Sequence, residues 1–335
     1  MPTTLGQGWG LIVDLEPGDG ESVAVEIETS HWDLPTTSTA GYGSNLVRVP
    51  GTTSVLSTLP GGRMYLCDVL TGEIRTGQRL AGELRAVVFD GGHVGRADGA
   101  WALATFGLCR ISLASLTRTG ENIRQGLGKY QGRMVALSHD VLGISSFYGK
   151  SLILVSRHDG TVLKRLRMGA PALVYPLPGG RHRCWSPHNA VATDLDLASA
   201  RCVARHPLPY GKGSVLIGDQ VLALTGERED MPGVPDVWDV RSRHVTTFDA
   251  WTLTELHRIS APEDSIEVLG TDVEGRILIT SRRAVTFLTP GSFDVETLYQ
   301  HHADLGGALL LPKQNRAVLQ SSITMGNGLT VIRWK

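Results

Sequence analysis

The architecture of this chain follows from residues 152–166, which read LILVSRHDGTVLKRL. Four apolar residues begin the segment, the polar run Ser156 to Thr161 contains the turn His158-Asp159-Gly160, and the apolar residues Val162 and Leu163 follow. Short apolar runs of this length are typical of strands, and an Asp-Gly pair between two of them is typical of a hairpin turn. The segment therefore predicts two antiparallel strands joined by a tight turn.

The same hairpin returns along the chain. Copies lie at residues 64–74, 190–208, 245–259 and 285–299, with a weaker copy at 108–123. Two further apolar strands precede most hairpins, as at 172–177 and 183–185. Four strands in about 40 residues is the spacing of a β-propeller blade. The sequence thus predicts an all-β fold, a single seven-bladed β-propeller of four-stranded antiparallel blades.

The predicted propeller is one domain over residues 1–335. Its blades lie near 45–82, 83–124, 132–168, 172–208, 213–260, 265–301 and 306–335. The last blade shows only three strands, so we expect an N-terminal strand at residues 10–15 to complete it and close the ring. Closure removes the unpaired sheet edges that an open stack would leave. Residues 16–45 fit no blade cleanly, which leaves counts of six or eight blades open.

In its Thr-Gly-type turns and its repeat spacing, the chain resembles bacterial propellers of the YVTN and WD-repeat kind over nearly its whole length. It departs from true WD repeats because no blade carries the Gly-His and Trp-Asp signatures at their usual places. Trp238-Asp239 falls inside an insertion instead. The resemblance implies the fold and no particular activity.

Composition limits the classes of partner. A net charge of −1 argues against nucleic acid and anionic membranes, which attract a basic surface. The four cysteines form no C-x-x-C pair, so we expect reduced thiols and no zinc site. No apolar stretch of eighteen residues and no signal peptide are present, which predicts a cytoplasmic protein. Only six of 32 basic residues are lysine, which indicates a GC-rich, actinobacterial genome.

The two faces of the predicted ring differ. One face, called the loop face below, carries the loops between the second and third strands of each blade and the loops that lead to the next blade. Its segments 29–44 and 226–243 exceed the usual connection length, as binding loops do. The opposite face, called the turn face, carries short plain turns. We therefore expect a ligand site on the loop face, at the mouth of the central channel.

Histidine, tyrosine and lysine side chains on the loop face are the types that perform acid–base chemistry. The candidate catalytic residues are His188, His301, His302, Tyr148, Lys150, Tyr210 and Lys212. The candidate ligand-binding residues are His31, Trp32, Asp33, Tyr42, Trp185, Asn189, Glu227, Trp238 and Arg282. We predict no metal site and no organic cofactor.

Structural roles compete with these functional ones. Adjacent residues of a strand point to opposite sides, so at most one of His301 and His302 faces the channel. His188-Asn189 also suits a turn between strands, and Trp32 also suits a plug that packs its loop onto the ring. The run around Glu227 also suits a solvated acidic loop. Each of these readings stays open.

Two functions follow. The first is a small-molecule-binding propeller and, if catalytic, a cofactor-independent lyase, cyclase or isomerase of bacterial specialised metabolism. The second is a non-catalytic scaffold that binds a protein through the loop face, where tryptophan and tyrosine residues of the kind enriched in interfaces are found. Neither function involves nucleic acid or a membrane.

Overall fold

The computed structural model describes residues 27–33, 46–59, 61–90, 99–124, 127, 131–146, 151–230, 238–290, 294–301, 304–311, 315–321 and 328–335, with the backbone alone at 31–33, 131, 146, 238 and 321. These residues form twenty-eight strands and one short 3₁₀ helix, Pro187–Asn189. No helix in this part of the chain is long and apolar enough to cross a membrane. The secondary structure confirms the all-β class.

The strands form seven antiparallel sheets of four, and each sheet is one blade of a ring. Blades 1 and 2 contain β2 (Val47–Arg48), β3 (Ser54–Thr58), β4 (Arg63–Asp68) and β5 (Ile74–Arg79), then β6 (Leu84–Phe89), β7 (Gly99–Ala104), β8 (Gly107–Ser112) and β9 (Thr117–Arg118). Blades 3 and 4 contain β10 (Gln131–Ala136), β11 (Val141–Ser146), β12 (Ser151–Ser156) and β13 (Val162–Arg167), then β14 (Leu173–Leu177), β15 (Arg181–Ser186), β16 (Val191–Asp196) and β17 (Arg201–Pro207).

Blades 5 and 6 contain β18 (Tyr210–Ile217), β19 (Gln220–Asp230), β20 (Trp238–Asp249) and β21 (Glu255–Ser260), then β22 (Ser265–Thr271), β23 (Ile277–Ser281), β24 (Ala284–Leu288) and β25 (Val295–Gln300). Blade 7 contains β26 (Leu305–Leu311), β27 (Arg316–Ser321), β28 (Gly328–Trp334) and β1 (Ile27–Asp33). The predicted count of seven blades is confirmed.

Blade 7 is completed by an N-terminal strand, as the sequence predicts, but by a different one. β1 pairs antiparallel with β28, from Ile27 opposite Trp334 to Asp33 opposite Gly328. The position that we assigned to residues 10–15 is therefore taken by residues 27–33, and residues 10–15 lie outside the described part of the chain. The same pairing places His31, Trp32 and Asp33 in an outer strand, whereas we predicted them on a loop.

The first strand of each blade lies innermost. Neighbouring blades touch through their first strands, β6 with β10, β18 with β22 and β22 with β26. The fourth strand consequently forms the outer rim, where side chains meet solvent; β13 is exposed at five of its six residues. The channel wall and the rim are thus built from different strands of every blade.

Apolar layers between adjacent blades form the core. One layer joins blades 1 and 2 through Leu56 and Met64 against Ala102 and Cys109. Six further clusters occupy the remaining interfaces between neighbouring blades, and the last joins blade 7 to blade 1. Because blade 7 contacts blade 1 in the same way as the others contact their neighbours, the ring is closed by packing as well as by hydrogen bonds.

A buried ion pair reinforces the interface between blades 4 and 5. Arg183 on β15 donates from Nε to Asp194 Oδ1 at 2.7 Å and from Nη2 to Oδ2 at 3.0 Å. Its Nη1 donates to the carbonyls of Ala250 and Trp251 in the turn after β20, at 3.0 and 2.6 Å. Burial raises the pKa of Asp194, but hydrogen bonds from Arg183 and His206 outweigh burial and lower it. Asp194 is therefore ionised at neutral pH and pairs with a buried guanidinium.

Replacing Asp194 by alanine leaves the Arg183 guanidinium buried without a counter-charge. We expect the free energy of unfolding to fall by about 3–5 kcal/mol, measured by chemical denaturation. Because the pKa of Asp194 is lowered on folding, its contribution is present above its unfolded pKa of about 3.9 and is lost as the pH falls through the lowered value. The control is Glu255→Ala, which removes a half-exposed partner of Arg258 and should cost less than about 1 kcal/mol. Equal losses in the two variants would contradict the assignment.

Candidate functional site

The loop face brings three of the candidate catalytic residues to the junction of blades 4 and 5. The 3₁₀ helix Pro187–Asn189 begins with proline and ends at Ala190, whose φ of 51° is left-handed. It packs against the start of β18, where a Cβ on Gly211 would lie 3.1 Å from Pro187 Cβ and 2.5 Å from the Leu224 carbonyl oxygen. Glycine at 211 lets the two blades approach, and this approach places His188 beside the strand that carries Tyr210 and Lys212.

Tyr210 and Lys212 belong to β18, although we predicted them on a loop. Lys212 Nζ lies 3.0 Å from Asp239 Oδ2, and the lysine side chain is 27% exposed. Asp230 and then the Tyr210 hydroxyl raise the pKa of the Arg228 guanidinium by hydrogen bonding to it. Both residues of β18 therefore hold the neighbouring segment of blade 5 in place.

That segment is a projecting two-stranded ribbon. β19 and β20 have eleven and twelve residues, against five to seven in the second and third strands of the other blades. The last pairing of β19 with β18 is Gly226 with Tyr210, and the last pairing of β20 with β21 is His244 with Ser260. We call residues 226–230 of β19 and 238–242 of β20 the arm. The sequence analysis treated residues 226–243 as a loop; residues 231–237 lie outside the described residues.

The arm is strongly charged, and the pairing of its two strands places two carboxylates opposite each other. Glu227, Arg228, Glu229 and Asp230 are exposed. Glu229 lies directly opposite Asp239, and like charges across a strand pair are destabilising. Lys212 offsets this repulsion through its contact with Asp239. The β-bulge at Gly226 requires glycine, since a Cβ there would lie 1.9 Å from the Arg241 carbonyl oxygen.

Other candidates on the loop face have structural partners. Trp185 is 1% exposed and packs edge-on against Phe248 at a centroid distance of 5.2 Å, so it belongs to the core between blades 4 and 5. Asn189 Oδ1 accepts the Ala170 amide hydrogen at 3.1 Å, in the connection between blades 3 and 4. Glu227 lies 3.8 Å from Arg243 across the arm, in a strand and not in the loop that we predicted.

Two candidates lie together at blade 6, away from the junction. Arg282 donates from Nε to Asp304 Oδ2 at 2.8 Å, and its carbonyl accepts the amide of Leu305. His301 is 2% exposed, and its amide donates to the Arg283 carbonyl. The remaining candidates fall outside what the structure describes: His302, Tyr148, Lys150 and Tyr42 entirely, and the side chains of His31, Trp32, Asp33 and Trp238.

The channel wall carries two opposite charges that the sequence analysis missed. Arg133 lies on β10 and Glu267 on β22, the innermost strands of blades 3 and 6. Burial lowers the pKa of Arg133 and raises that of Glu267, while the attraction between the two opposes both shifts. Glu267 remains in contact with channel solvent although protein surrounds it. A single charged residue between the apolar residues of an inner strand is the signal that identifies Glu267.

A cavity of about 240 Å³ lies at the rim of the loop face, between blades 3 and 4. Its lining residues are Arg167, Met168, Gly169, Asn189, Val191, Thr193 and Arg205. It contains Asn189 and none of the candidate catalytic residues, and its volume falls below the roughly 300–1,000 Å³ of pockets for drug-sized ligands. The cavity is therefore a separate feature from the predicted mouth site.

Metal and thiol chemistry receive no support in the described residues. No group of three or more His, Cys, Asp or Glu side chains in them is placed to hold a metal ion. The four cysteines are free. Burial raises the pKa of the Cys67 and Cys109 thiols to about 11 and that of Cys184 to about 12, which keeps them protonated and unreactive at neutral pH.

We expect Lys212→Met to loosen the arm. The Lys212–Asp239 pair is partly exposed, so its loss is worth at most about 1 kcal/mol and should raise amide exchange in the arm by up to about fivefold. Hydrogen exchange with mass spectrometry measures this change. Arg282→Met removes a loop-face arginine at blade 6 and should leave arm exchange unaltered. Unchanged exchange in the arm of Lys212→Met would contradict the role of this lysine.

Comparison with known proteins identifies the fold of this chain but assigns it no activity. The sequence matches no protein-family model and no curated protein. Among solved structures, the WD40 domain of Neurospora crassa Pan2 is similar with a TM-score of 0.66 and 11% identity, over 87% of this chain and 89% of that one. A chain of the Mitotic Checkpoint Complex gives 0.66 and 10%, over 98% of each chain.

The β-propeller domain of Cps50 (Swd1) from Myceliophteria thermophila gives a TM-score of 0.66 and 10% identity, over 91% of this chain and 99% of that one. Identities this low carry a likeness of fold alone. The chain is thus a seven-bladed β-propeller with the architecture of WD40 domains, as the resemblance in its hairpins implied.

Proposed function

We propose that this protein is a non-catalytic scaffold that binds a partner protein through the loop face, with the arm of blade 5 as its main contact. The single observation that carries the proposal is the arm itself. It extends beyond both neighbouring strands of its own blade, and four consecutive residues of one strand are exposed. Within the arm Val240 is buried, whereas residues 227–230 form a charged and exposed strand, and this strand favours a role in contact with another molecule.

The arm presents main-chain hydrogen-bonding groups as well as charge. Beyond Gly226 on β19, and on the tip side of His244 on β20, no described strand pairs with the outer edges. Unpaired edges accept an added strand from a partner, and side chains along the edge then select that partner. The alternation of Glu227, Arg228 and Glu229 supplies such selection.

The residues at the junction support a scaffold better than a catalyst. Lys212 is paired with Asp239, and Asn189 accepts a main-chain hydrogen bond. A small-molecule enzyme would instead need acid–base groups around a shared cavity. One structural neighbour is a chain of the Mitotic Checkpoint Complex, a protein assembly by its name, and a scaffold role is compatible with that likeness. The small-molecule and acid–base hypothesis stays a prediction.

Site-specific photocrosslinking tests the proposal. A benzophenone amino acid replaces Glu229 in the arm or, as the control, Val273 on the turn face, which is 64% exposed. In the host cell we expect discrete protein adducts from position 229 and none of the same mass from position 273. A third chain, in which Asn-Gly replaces residues 228–240, should lose at least tenfold in affinity for the partner identified at position 229.

The opposite outcomes are equally clear. Identical adducts from both positions would mean nonspecific contact, and full binding by the shortened chain would exclude the arm. A small molecule retained at one per chain in native mass spectrometry, without protein adducts at position 229, would favour the small-molecule hypothesis. Thermal unfolding of each variant shows whether the ring stays intact.

A further inference from the structure

The rim of the propeller is divided by charge. The outer strands of blades 1 to 4 contain basic residues and no Asp or Glu: Arg75, Arg79, Arg118, Lys164, Arg165, Arg167, Arg201 and Arg205. Among the side chains that the structure describes, the outer strands of blades 5 to 7 contain three acidic residues and one basic one: Glu255, Glu296, Glu28 and Arg258. Because the whole chain has a net charge of −1, this division is a matter of placement and not of composition.

The basic residues are densest on the outer strands of blades 3 and 4, β13 and β17. Together these two strands carry five arginine or lysine residues. The same strands expose large aliphatic side chains, with Leu163 55% exposed, Val203 49% and Val162 38%. A surface that combines positive charge with exposed aliphatic groups is complementary to a segment that combines acidic and apolar residues.

The rim cavity of about 240 Å³ opens between these two strands. Arg205 lines the cavity, and its Nη2 lies 3.5 Å from the Arg167 carbonyl oxygen, at the upper limit for a hydrogen bond. No carboxylate of the described residues lies within 4.0 Å of the guanidinium of Arg205 or Arg167. Arg205 therefore has most of its hydrogen-bonding capacity available to an anion.

Neighbouring groups complete a set of donors. Asn189 Oδ1 is occupied by the Ala170 amide, which leaves its NH₂ group as a donor, and Thr193 brings a hydroxyl. Gly169 keeps the cavity open, since a Cβ there would lie 2.8 Å from Asn189 Oδ1. Asp194, next to Thr193 on β16, points to the opposite side of the blade and is held by Arg183 and His206. It does not neutralise the cavity.

We propose that β13 and β17 form a docking surface for an extended acidic and aliphatic segment of a protein partner, with one anionic side chain of that segment seated in the cavity against Arg205. The seated group is a carboxylate or a phosphate ester, since both accept the paired donors of a guanidinium. An extended segment alternates its side chains at the same period as the strands it lies on, which lets acidic and apolar residues meet their counterparts.

Protein is the occupant that the surface favours over nucleic acid. β13 and β17 contain no Phe, Tyr or Trp on which a base would stack, the ring of His206 is held by Asp194, and their exposed apolar groups are aliphatic. The cavity holds one small group, whereas a polynucleotide needs a continuous basic track. The surface lies on the rim and is separate from the arm, so its partner and that of the arm are independent.

Fluorescence anisotropy with defined probes tests the proposal. The probes are a labelled peptide of alternating Glu and Val, the same peptide with one central phosphoserine, a Lys and Val peptide, and a single-stranded oligonucleotide of matched charge. We expect both acidic peptides to bind the full chain and the Lys and Val peptide not to bind. Tighter binding of the phosphoserine peptide identifies the seated group as a phosphate ester, and equal or weaker binding identifies it as a carboxylate.

A pair of matched double variants locates the site. Arg167→Gln with Arg205→Gln should weaken binding of the acidic peptide at least tenfold. Arg79→Gln with Arg118→Gln removes the same charge from the rim of blades 1 and 2 and should weaken it less than threefold. All four arginines lie on outer strands, and thermal unfolding verifies that both variants fold.

Three results would overturn the proposal. They are equal losses in the two double variants, stronger binding of the oligonucleotide than of either acidic peptide, and no binding of either acidic peptide by the wild-type chain up to about 1 mM. The chain with the shortened arm should bind the acidic peptides as the wild type does. A failure of the arm in crosslinking and a failure of the rim in anisotropy are therefore distinguishable.

Discussion

The structure depends on apolar packing between neighbouring blades. A single four-stranded blade has two faces to bury, and neither is covered until another blade stacks on it. The cluster that joins Val318 and Leu329 of blade 7 to Val55 and Tyr65 of blade 1 removes the last pair of uncovered faces. Every blade is then held from both sides. The rim and the two faces of the ring contribute little to this packing and are free to differ from blade to blade.

Hydrogen bonds on the turn face orient each of these blades relative to its neighbour, which the non-directional apolar layers do not do. Trp101 Nε1 of blade 2 donates to the Arg157 carbonyl in the turn of blade 3, and Arg183 of blade 4 donates to the corresponding turn of blade 5. Trp334 Nε1 of blade 7 contacts Asp272 of blade 6. Such contacts fix one blade against the next at the face where connections are short. The arm extends from the opposite face, so it leaves these contacts undisturbed.

The sequence predicts those parts of the fold that burial determines. The hairpin at 152–166 is recognisable because buried residues lie on both sides of a tight turn, Leu154 and Val155 before it and Leu166 after it. The closing strand was placed wrongly because residues 27–30 of β1 are all exposed, so their side chains show no apolar alternation. The arm escaped prediction for a similar reason. Its strands pair through the main chain, which charged residues such as Glu227 and Glu229 do not prevent.

The candidate site depends on contacts between blades, and single segments of sequence do not contain them. Arg167 and Arg205 are 38 residues apart, close to the repeat of about 40, so each lies on the outer strand of its own blade. Residues one repeat apart stack side by side around a propeller, because each blade repeats the position of the one before. The basic half of the rim becomes visible when the charges of residues about 40 positions apart are compared, and not when neighbouring residues along the chain are compared. In repeat folds, some positions carry different residues from one repeat to the next. The packing of the ring does not require a particular residue at these positions, so they are the ones most free to serve binding.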